Sequence, residues 1–258
     1  MKNKHVNTNK LFLKRIFSGC ILAVFVLMLA GCKGSDYKKA NGLLENEEYS
    51  SAQEIFDTLG DYKDSKEMSA ECQYQIAIQY YKDNNYIEAV SRLVEINDYS
   101  KATQAIHIIA FKLINDEYVD VLTKTTEYYS AYFKSESQKF IAWVYGGMSG
   151  DYNIDYSSSA FNKFADEKST MKDTANKINA VFTAEVLEKC DDEVKNACEK
   201  FTTVNTYVDD MFTVENTFNL LTGGSTGELD SFDECASLAS ELEEALKALN
   251  AESSKIEL

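Results

Sequence analysis

The chain has 258 residues and a formal net charge of −16, from 42 acidic and 26 basic side chains. This acidity argues against a nucleic-acid-binding surface, because phosphates would be repelled. Apolar residues make up 45% of the chain and aromatic residues 12%, which is enough for a buried core and gives no indication of disorder. There is no proline, which suits an all-helical fold because proline interrupts helices.

Residues 1–31 predict a secretory signal peptide. Basic residues precede an apolar run over 16–30, and a signal peptide needs about 7–15 such residues whereas a membrane-spanning helix needs about 20. The run ends in Leu29-Ala30-Gly31-Cys32, which resembles the lipobox of bacterial lipoproteins. The resemblance implies transfer of a diacylglyceryl group to the Cys32 sulfur and cleavage between Gly31 and Cys32.

A lipobox implies a protein held on the extracytoplasmic face of the cell membrane through Cys32. Two alternatives stay open, a secreted protein in which Cys32 is a plain thiol and a protein that keeps its N-terminal apolar helix. Cleavage would take the net charge from −16 to −21, since all five charged residues of 1–31 are basic. A helical pattern begins almost directly after Cys32, so the folded part is expected to lie close to the bilayer.

A repeat of 37 residues follows the anchor. The stretch 49–62 matches the stretch 86–99, and in both an alanine is followed four positions later by a bulky apolar residue. The pattern predicts helices over 36–46 and 49–59, a turn at 46–48, a C-cap at Gly60 and a further helix from Asp64 or Ser65. A third, degenerate copy is expected at 115–121.

The alanine and aromatic positions of these copies resemble tetratricopeptide repeats, and the segment 59–65 resembles linkers in lipoproteins and cell-surface proteins of Gram-positive bacteria. The period of 37 departs from the 34 residues of that family. The resemblance implies a short helix-pair solenoid over residues 32–146, with a concave face that binds proteins or peptides.

Tyrosines are frequent in this region, and tyrosine suits contact surfaces because it is amphipathic and rigid. The candidate partner-binding residues are Tyr74, Tyr81, Tyr86 and Tyr118. The alternative is that these rings pack between repeats. His107 lies among isoleucines without a second histidine nearby, which favours a structural role.

A loop rich in glycine, serine and aspartate over 147–158 predicts a connector and a domain boundary. Asp151, Asn153 and Asp155 have the spacing that opens an EF-hand calcium loop. Tyr156 stands where that loop needs glycine, and Asn162 stands where it needs glutamate. The three residues are therefore a weak calcium candidate, and a plain polar loop is favoured.

Residues 159–253 predict an antiparallel helical bundle, followed by a short tail at 254–258. An apolar seam begins at Val194 after three acidic residues that favour a helix start, and a glycine-rich loop at 222–227 precedes a last helix. Cys190 and Cys198 form a candidate disulfide if a turn falls between them. If one helix runs through both, they are too far apart to bridge.

The sequence therefore predicts an all-α protein, a short tetratricopeptide-like solenoid followed by a bundle. No nucleophile, metal or phosphate-binding motif is found, so neither catalysis nor a cofactor is expected. The function expected is a lipid-anchored scaffold that binds a protein, peptide or envelope component. The alternative is a cell-envelope enzyme or enzyme subunit, with carboxylate chemistry in an interdomain cleft.

Overall fold

Helices form the regular structure throughout the described parts of the chain. The structure is a computed structural model that describes residues 33–153, 155–212 and 230–253, and no strand occurs among them. The predicted all-α class is confirmed. The signal peptide, Cys32, the loop at 222–227 and the tail lie outside the described residues. None of the described helices has both the length and the apolarity that a membrane crossing requires.

The first three helices lie close to the positions predicted for them. In chain order they are α1 (33–45), α2 (Tyr49–Leu59), α3 (Ser65–Lys82), α4 (Tyr86–Val94), α5 (Ser100–Phe111), a π-helical segment (Lys112–Val119), α6 (Asp120–Tyr145), α7 (Ser159–Val181), α8 (Ala184–Lys189), α9 (Asp192–Met211) and α10 (Asp230–Ser253). The connector 147–158 is the loop between α6 and α7.

The chain divides into two compact units inside α3, between Ile76 and Ala77. The connector 147–158, where the sequence predicts a boundary, lies within the second unit. The reason is that α6, before the connector, packs along α7, after it. The helices on both sides of the loop therefore share one body.

The first unit has its own small core. Ala40, Ala52, Phe56, Leu59 and Cys72 are buried together. Ala52 is fully buried, as the repeat pattern requires of a small residue at a close helix approach. Gly60 ends α2 with a positive φ of 58°, a conformation that favours glycine.

The two clear copies of the repeat share one turn geometry. Glu47 has φ 62° and Asn84, 37 positions later, has φ 59°. In the first copy the amide of Glu48 donates to the carbonyl of Leu43 at 2.9 Å, and in the second the amide of Asn85 donates to that of Tyr80 at 2.9 Å. The period seen in the sequence therefore corresponds to a repeated local fold.

The third, degenerate copy has no such turn, and this part of the repeat prediction is not confirmed. The chain is helical without a break from Ser100 to Tyr145, through the π-helical segment. In this copy Asp116 takes the position of Glu47 and Asn84, two residues before the tyrosine, but it lies inside the π-helical segment and has no positive φ. We call residues 100–145 the central helix.

The central helix organises the second unit. α7 runs antiparallel to it, since Tyr132 packs on Phe161 and Tyr129 packs on Phe164. α9 runs parallel to the central helix, and α10 packs on α9 and α5. Three contacts in register establish the parallel direction: His107 with Asp191, Tyr118 with Phe201, and Tyr129 with Phe212. The bundle predicted over 159–253 thus also includes residues that the sequence assigned to the repeats.

Candidate functional site

The tyrosines predicted to bind a partner are mostly buried. Tyr74, Tyr86 and Tyr118 are buried, and Tyr81 is half-buried with its ring 5.9 Å from that of Tyr86. The Tyr118 hydroxyl donates to Asn205 at 3.1 Å, which satisfies its polar end inside the protein. The three buried rings therefore leave little exposed surface for a partner, and packing explains them.

A cleft of about 200 Å³ opens instead between α4, the end of α7 and α8. Its apolar wall is Ile87, Val94, Ala180, Val181 and Val186, and its polar lining is Ser91, Glu95, Thr183, Glu185 and Lys189. Ile87 and Ser91 are exposed on one face of α4, one turn apart. The cleft is therefore lined by apolar and polar side chains in equal number.

The rim of the cleft is fixed by contacts between distant parts of the sequence. Lys189 forms an ion pair with Glu95 at 2.6 Å, and the backbone carbonyl of Lys189 accepts from the Asn97 amide at 3.2 Å. The hydrogen bond to Glu95 raises the pKa of Lys189. These bonds join α8 to the C-terminal end of α4.

A second cluster surrounds Glu136, a fully buried acid in α6. Its carboxylate accepts hydrogen bonds from Lys139 at 2.7 Å, from the Tyr152 hydroxyl at 3.0 Å and from the Asp155 amide at 3.4 Å. Tyr152 and Asp155 lie in the connector. A buried carboxylate is stable only when its oxygens are satisfied in this way. We call these four residues the Glu136 clamp, because they bind the connector to α6.

Burial and hydrogen bonds both shift pKa values in and beside the Glu136 clamp. Burial raises the pKa of Tyr152, and the hydrogen bond to Glu136 raises it further. Burial also raises the pKa of Tyr132, whose hydroxyl has no hydrogen-bond partner among the described residues. Lys139 has a raised pKa because it donates to Glu136. Protein groups satisfy the Glu136 carboxylate, so the Glu136 clamp holds the connector on α6.

The sequence analysis missed Glu136, although a signal was present. Tyr132, Glu136 and Phe140 are spaced four residues apart and share one face of α6. A charged residue within an aromatic stripe indicates a buried, partnered carboxylate. Its partners could not be named from the sequence, because Tyr152 and Asp155 lie across a loop.

The weak calcium candidate is not assembled as a calcium shell. The Asp155 carboxylate accepts from the amide and the hydroxyl of Ser157, at 2.9 and 2.7 Å, and pairs with Lys139 at 3.4 Å. These bonds to Ser157 and Lys139 hold the pKa of Asp155 below its usual value. Asp151 and Asn153 are exposed.

His107, Asp191 and Glu193 form the one group of three metal-ligand side chains found among the described residues. His107 is buried, and its Nε2 lies 2.6 Å from an Asp191 oxygen. Its Nδ1 has no partner in the described part of the chain. A metal on Nε2 would leave a proton on Nδ1 without an acceptor, whereas metal-bound histidines usually donate that proton. The geometry therefore favours a structural hydrogen bond.

Asp191 also ends the loop before α9. Its second oxygen accepts from the Val194 amide at 3.1 Å, which makes it the N-cap of α9. Burial would raise the pKa of Asp191, but the hydrogen bonds from His107 and from Val194 outweigh that effect and lower it. One carboxylate thus caps α9 and joins it to α5, in agreement with the structural role expected for His107.

Cys190 and Cys198 are free thiols, so the candidate disulfide is absent from the structure. The turn needed for a bridge is present, because α8 ends at Lys189 and α9 begins at Asp192. Both side chains are buried. Burial raises the pKa of Cys190 to about 11 and that of Cys198 to about 12. They pack as small apolar side chains.

Comparison of the chain with protein-family models, with curated proteins and with solved structures finds no match.

Proposed function

We propose that this protein is a lipid-anchored module on the extracytoplasmic face of the membrane, which binds a protein or peptide partner through its helical domain. The observation that carries the proposal is the lipobox-like Leu29-Ala30-Gly31-Cys32 directly before the folded chain. α1 begins at residue 33, so an anchor at Cys32 would leave no linker between the lipid and the first helix.

The cleft between α4, α7 and α8 is the proposed partner-binding site. A concave site that combines apolar side chains with polar groups suits the binding of a side chain or a short segment. The acidic excess of the chain favours a partner with apolar and cationic side chains over an anionic one. Tetratricopeptide-like repeats, which the two copies resemble, commonly bind peptides.

Replacement of Cys32 tests the anchor. Cys32→Ser removes the sulfur that would carry the lipid, so the protein should leave the membrane fraction or stay unprocessed. Fractionation and intact mass of the protein made in a bacterial host measure both outcomes. An unchanged mass together with an unchanged membrane fraction would refute the anchor.

Filling the cleft tests the binding site. Ser91→Arg places a long cationic side chain at an exposed position of the cleft wall, where it should obstruct a partner without disturbing the core. Ser130→Arg, at an exposed position of α6, is the matched control. Crosslinked partners recovered from cells should be lost with the first variant and kept with the second. Equal recovery from both variants would exclude the cleft.

The alternative of a cell-envelope enzyme has less support. Carboxylate catalysis needs an acid and a base that reach the substrate. The buried Glu136 is enclosed by the connector, and Glu95 in the cleft is paired with Lys189 at 2.6 Å. We therefore prefer a binding role to a catalytic one.

A further inference from the structure

The cleft between α4, the end of α7 and α8 follows α4 over most of its length. At the start of α4, the Lys177 ammonium lies 4.8 Å from the ring centroid of Tyr86. Just after the end of α4, Lys189 pairs with Glu95 at 2.6 Å. The cleft lining on α4 runs from Ile87 to Glu95, which is about 12 Å along a helix axis. An extended peptide covers that distance with about four residues.

Part of the apolar lining of the cleft is open to solvent. Ile87 is 51% exposed, Ala180 is exposed and Val186 is half-buried, whereas Val94 and Val181 are buried. An apolar side chain that covers the first three would remove their surface from water together with its own. The hydrophobic effect therefore favours an apolar side chain of a partner at this place.

The charges that line the cleft do not balance. The lining holds two carboxylates, Glu95 and Glu185, and one ammonium group, Lys189. Lys189 pairs with Glu95, whereas Glu185 forms no ion pair in the described part of the chain. The hydrogen bond to Glu95 is the main cause of the raised pKa of Lys189, and the nearby charge of Glu185 raises that pKa further. One ammonium thus serves two carboxylates, which leaves one negative charge in excess.

The cations beside the cleft are engaged with other carboxylates. Lys177 pairs with Glu117 at 2.7 Å, and Arg92 pairs with Glu88 at 2.9 Å. An anionic ligand would have to break one of these ion pairs, and it would be repelled by Glu185. A cationic side chain would pair with Glu185 and leave the existing ion pairs intact. Charge complementarity therefore favours a cationic group on the ligand.

We infer that the cleft binds an extended peptide segment in which an apolar side chain covers Ile87 and Val186 and a neighbouring lysine or arginine pairs with Glu185. The inference rests on the proposed function and names the chemistry of its partner. The apolar contact supplies most of the affinity. Glu185 selects basic over acidic segments, because charges at an interface govern specificity more than affinity.

Peptide binding tests the inference. The probes are short labelled peptides in a glycine–serine frame, with leucine followed by lysine, by glutamate or by serine, and one with serine followed by lysine. Fluorescence anisotropy with the full chain, purified in mild detergent, gives their dissociation constants. The leucine–lysine peptide should bind about fivefold more tightly than the leucine–serine peptide, as a partly exposed ion pair allows. The leucine–glutamate peptide should bind more weakly than both, and the serine–lysine peptide at least about tenfold more weakly than leucine–lysine.

Charge reversal locates the cation. Glu185→Lys should exchange the preference, so that the leucine–glutamate peptide binds more tightly than the leucine–lysine peptide. Glu188→Lys is the matched control, because Glu188 is exposed on the same helix but does not line the cleft, and it should keep the preference for lysine. Both replaced side chains are exposed, so both variants should keep the helical circular dichroism of the parent.

Three outcomes would overturn the inference. Equal binding of the lysine and glutamate peptides would mean that the cleft takes an apolar side chain whatever its neighbour. An exchange of preference with Glu188→Lys would assign the effect to the overall charge of the protein. Binding of none of the peptides would exclude such a segment. Failure of the proposed function is distinguishable, because it is measured by the crosslinked partners that Ser91→Arg should lose, without these probes.

Discussion

Removal of the buried carboxylate of Glu136 should destabilise the second unit. Glu136→Ala takes away the acceptor of Lys139, of the Tyr152 hydroxyl and of the Asp155 amide. Breaking a buried ion pair costs about 3–5 kcal/mol when the remaining charge stays buried. Here the side chain of Lys139 is 42% exposed and can be hydrated, so its share of that cost is reduced.

Tyr152 and Asp155 add to the cost. The Tyr152 hydroxyl keeps a hydrogen bond to the carbonyl of residue 136 at 3.0 Å and loses only its second acceptor. The Asp155 amide loses a long bond of 3.4 Å, and the absent side chain leaves a small cavity. Together these effects predict a loss of about 2–3 kcal/mol in the free energy of unfolding.

Urea unfolding followed by Trp143 emission measures this loss, because the only tryptophan packs on Tyr152 within the second unit. Glu136→Gln keeps the shape and one acceptor, so it should cost about 1 kcal/mol. Glu127→Ala, at an exposed position of α6, should change stability by less than about 0.5 kcal/mol. If Glu136→Ala behaves like Glu127→Ala, the Glu136 clamp contributes no stability and the account of it is wrong.

Three further predictions concern the turn, the cap and the thiols. Gly60→Ala should lower the free energy of unfolding by about 1–2 kcal/mol because Gly60 has a positive φ, whereas Gly42→Ala in α1 should raise it by about 0.5–1 kcal/mol. In neither variant does the added Cβ meet an atom within 4 Å, so sterics do not explain the difference. Equal melting temperatures of the two variants, measured by circular dichroism, would contradict this prediction. Asp191 has a lowered pKa, so its stabilisation is full above about pH 4 and is lost as the pH falls through that lowered value. Asp191→Asn should therefore lower the free energy of unfolding by about 1 kcal/mol at neutral pH. In urea titrations the difference in this free energy between the variant and the parent should shrink towards pH 3. A difference that does not change with pH would refute the linkage. The buried thiols of Cys190 and Cys198 should resist alkylation at pH 8 until the protein is unfolded, because burial raises their pKa values. Peptide mass mapping measures the alkylation. A disulfide-linked peptide from the non-reduced protein would contradict the free thiols.

Much of the local structure could be predicted from the sequence. The bounds of α2, the turn before it and the C-cap at Gly60 all follow from residues within a few positions of each other. The loop at 147–158 and the start of α9 after Asp191 are also predicted by residues within a few positions. Apolar periodicity, caps and glycine conformation act over one or two helical turns, so such features are visible in the chain itself.

The tertiary structure decided which faces meet and which residues are buried. His107 and Asp191 are 84 residues apart, and Lys189 and Glu95 are 94 apart, so no local pattern could pair them. Tyr118 looked like a contact residue and is fully buried, because α9 packs over it. A short-range pattern determines whether a segment is helical, whereas its neighbours come from the packing of the whole chain, which only the three-dimensional fold specifies.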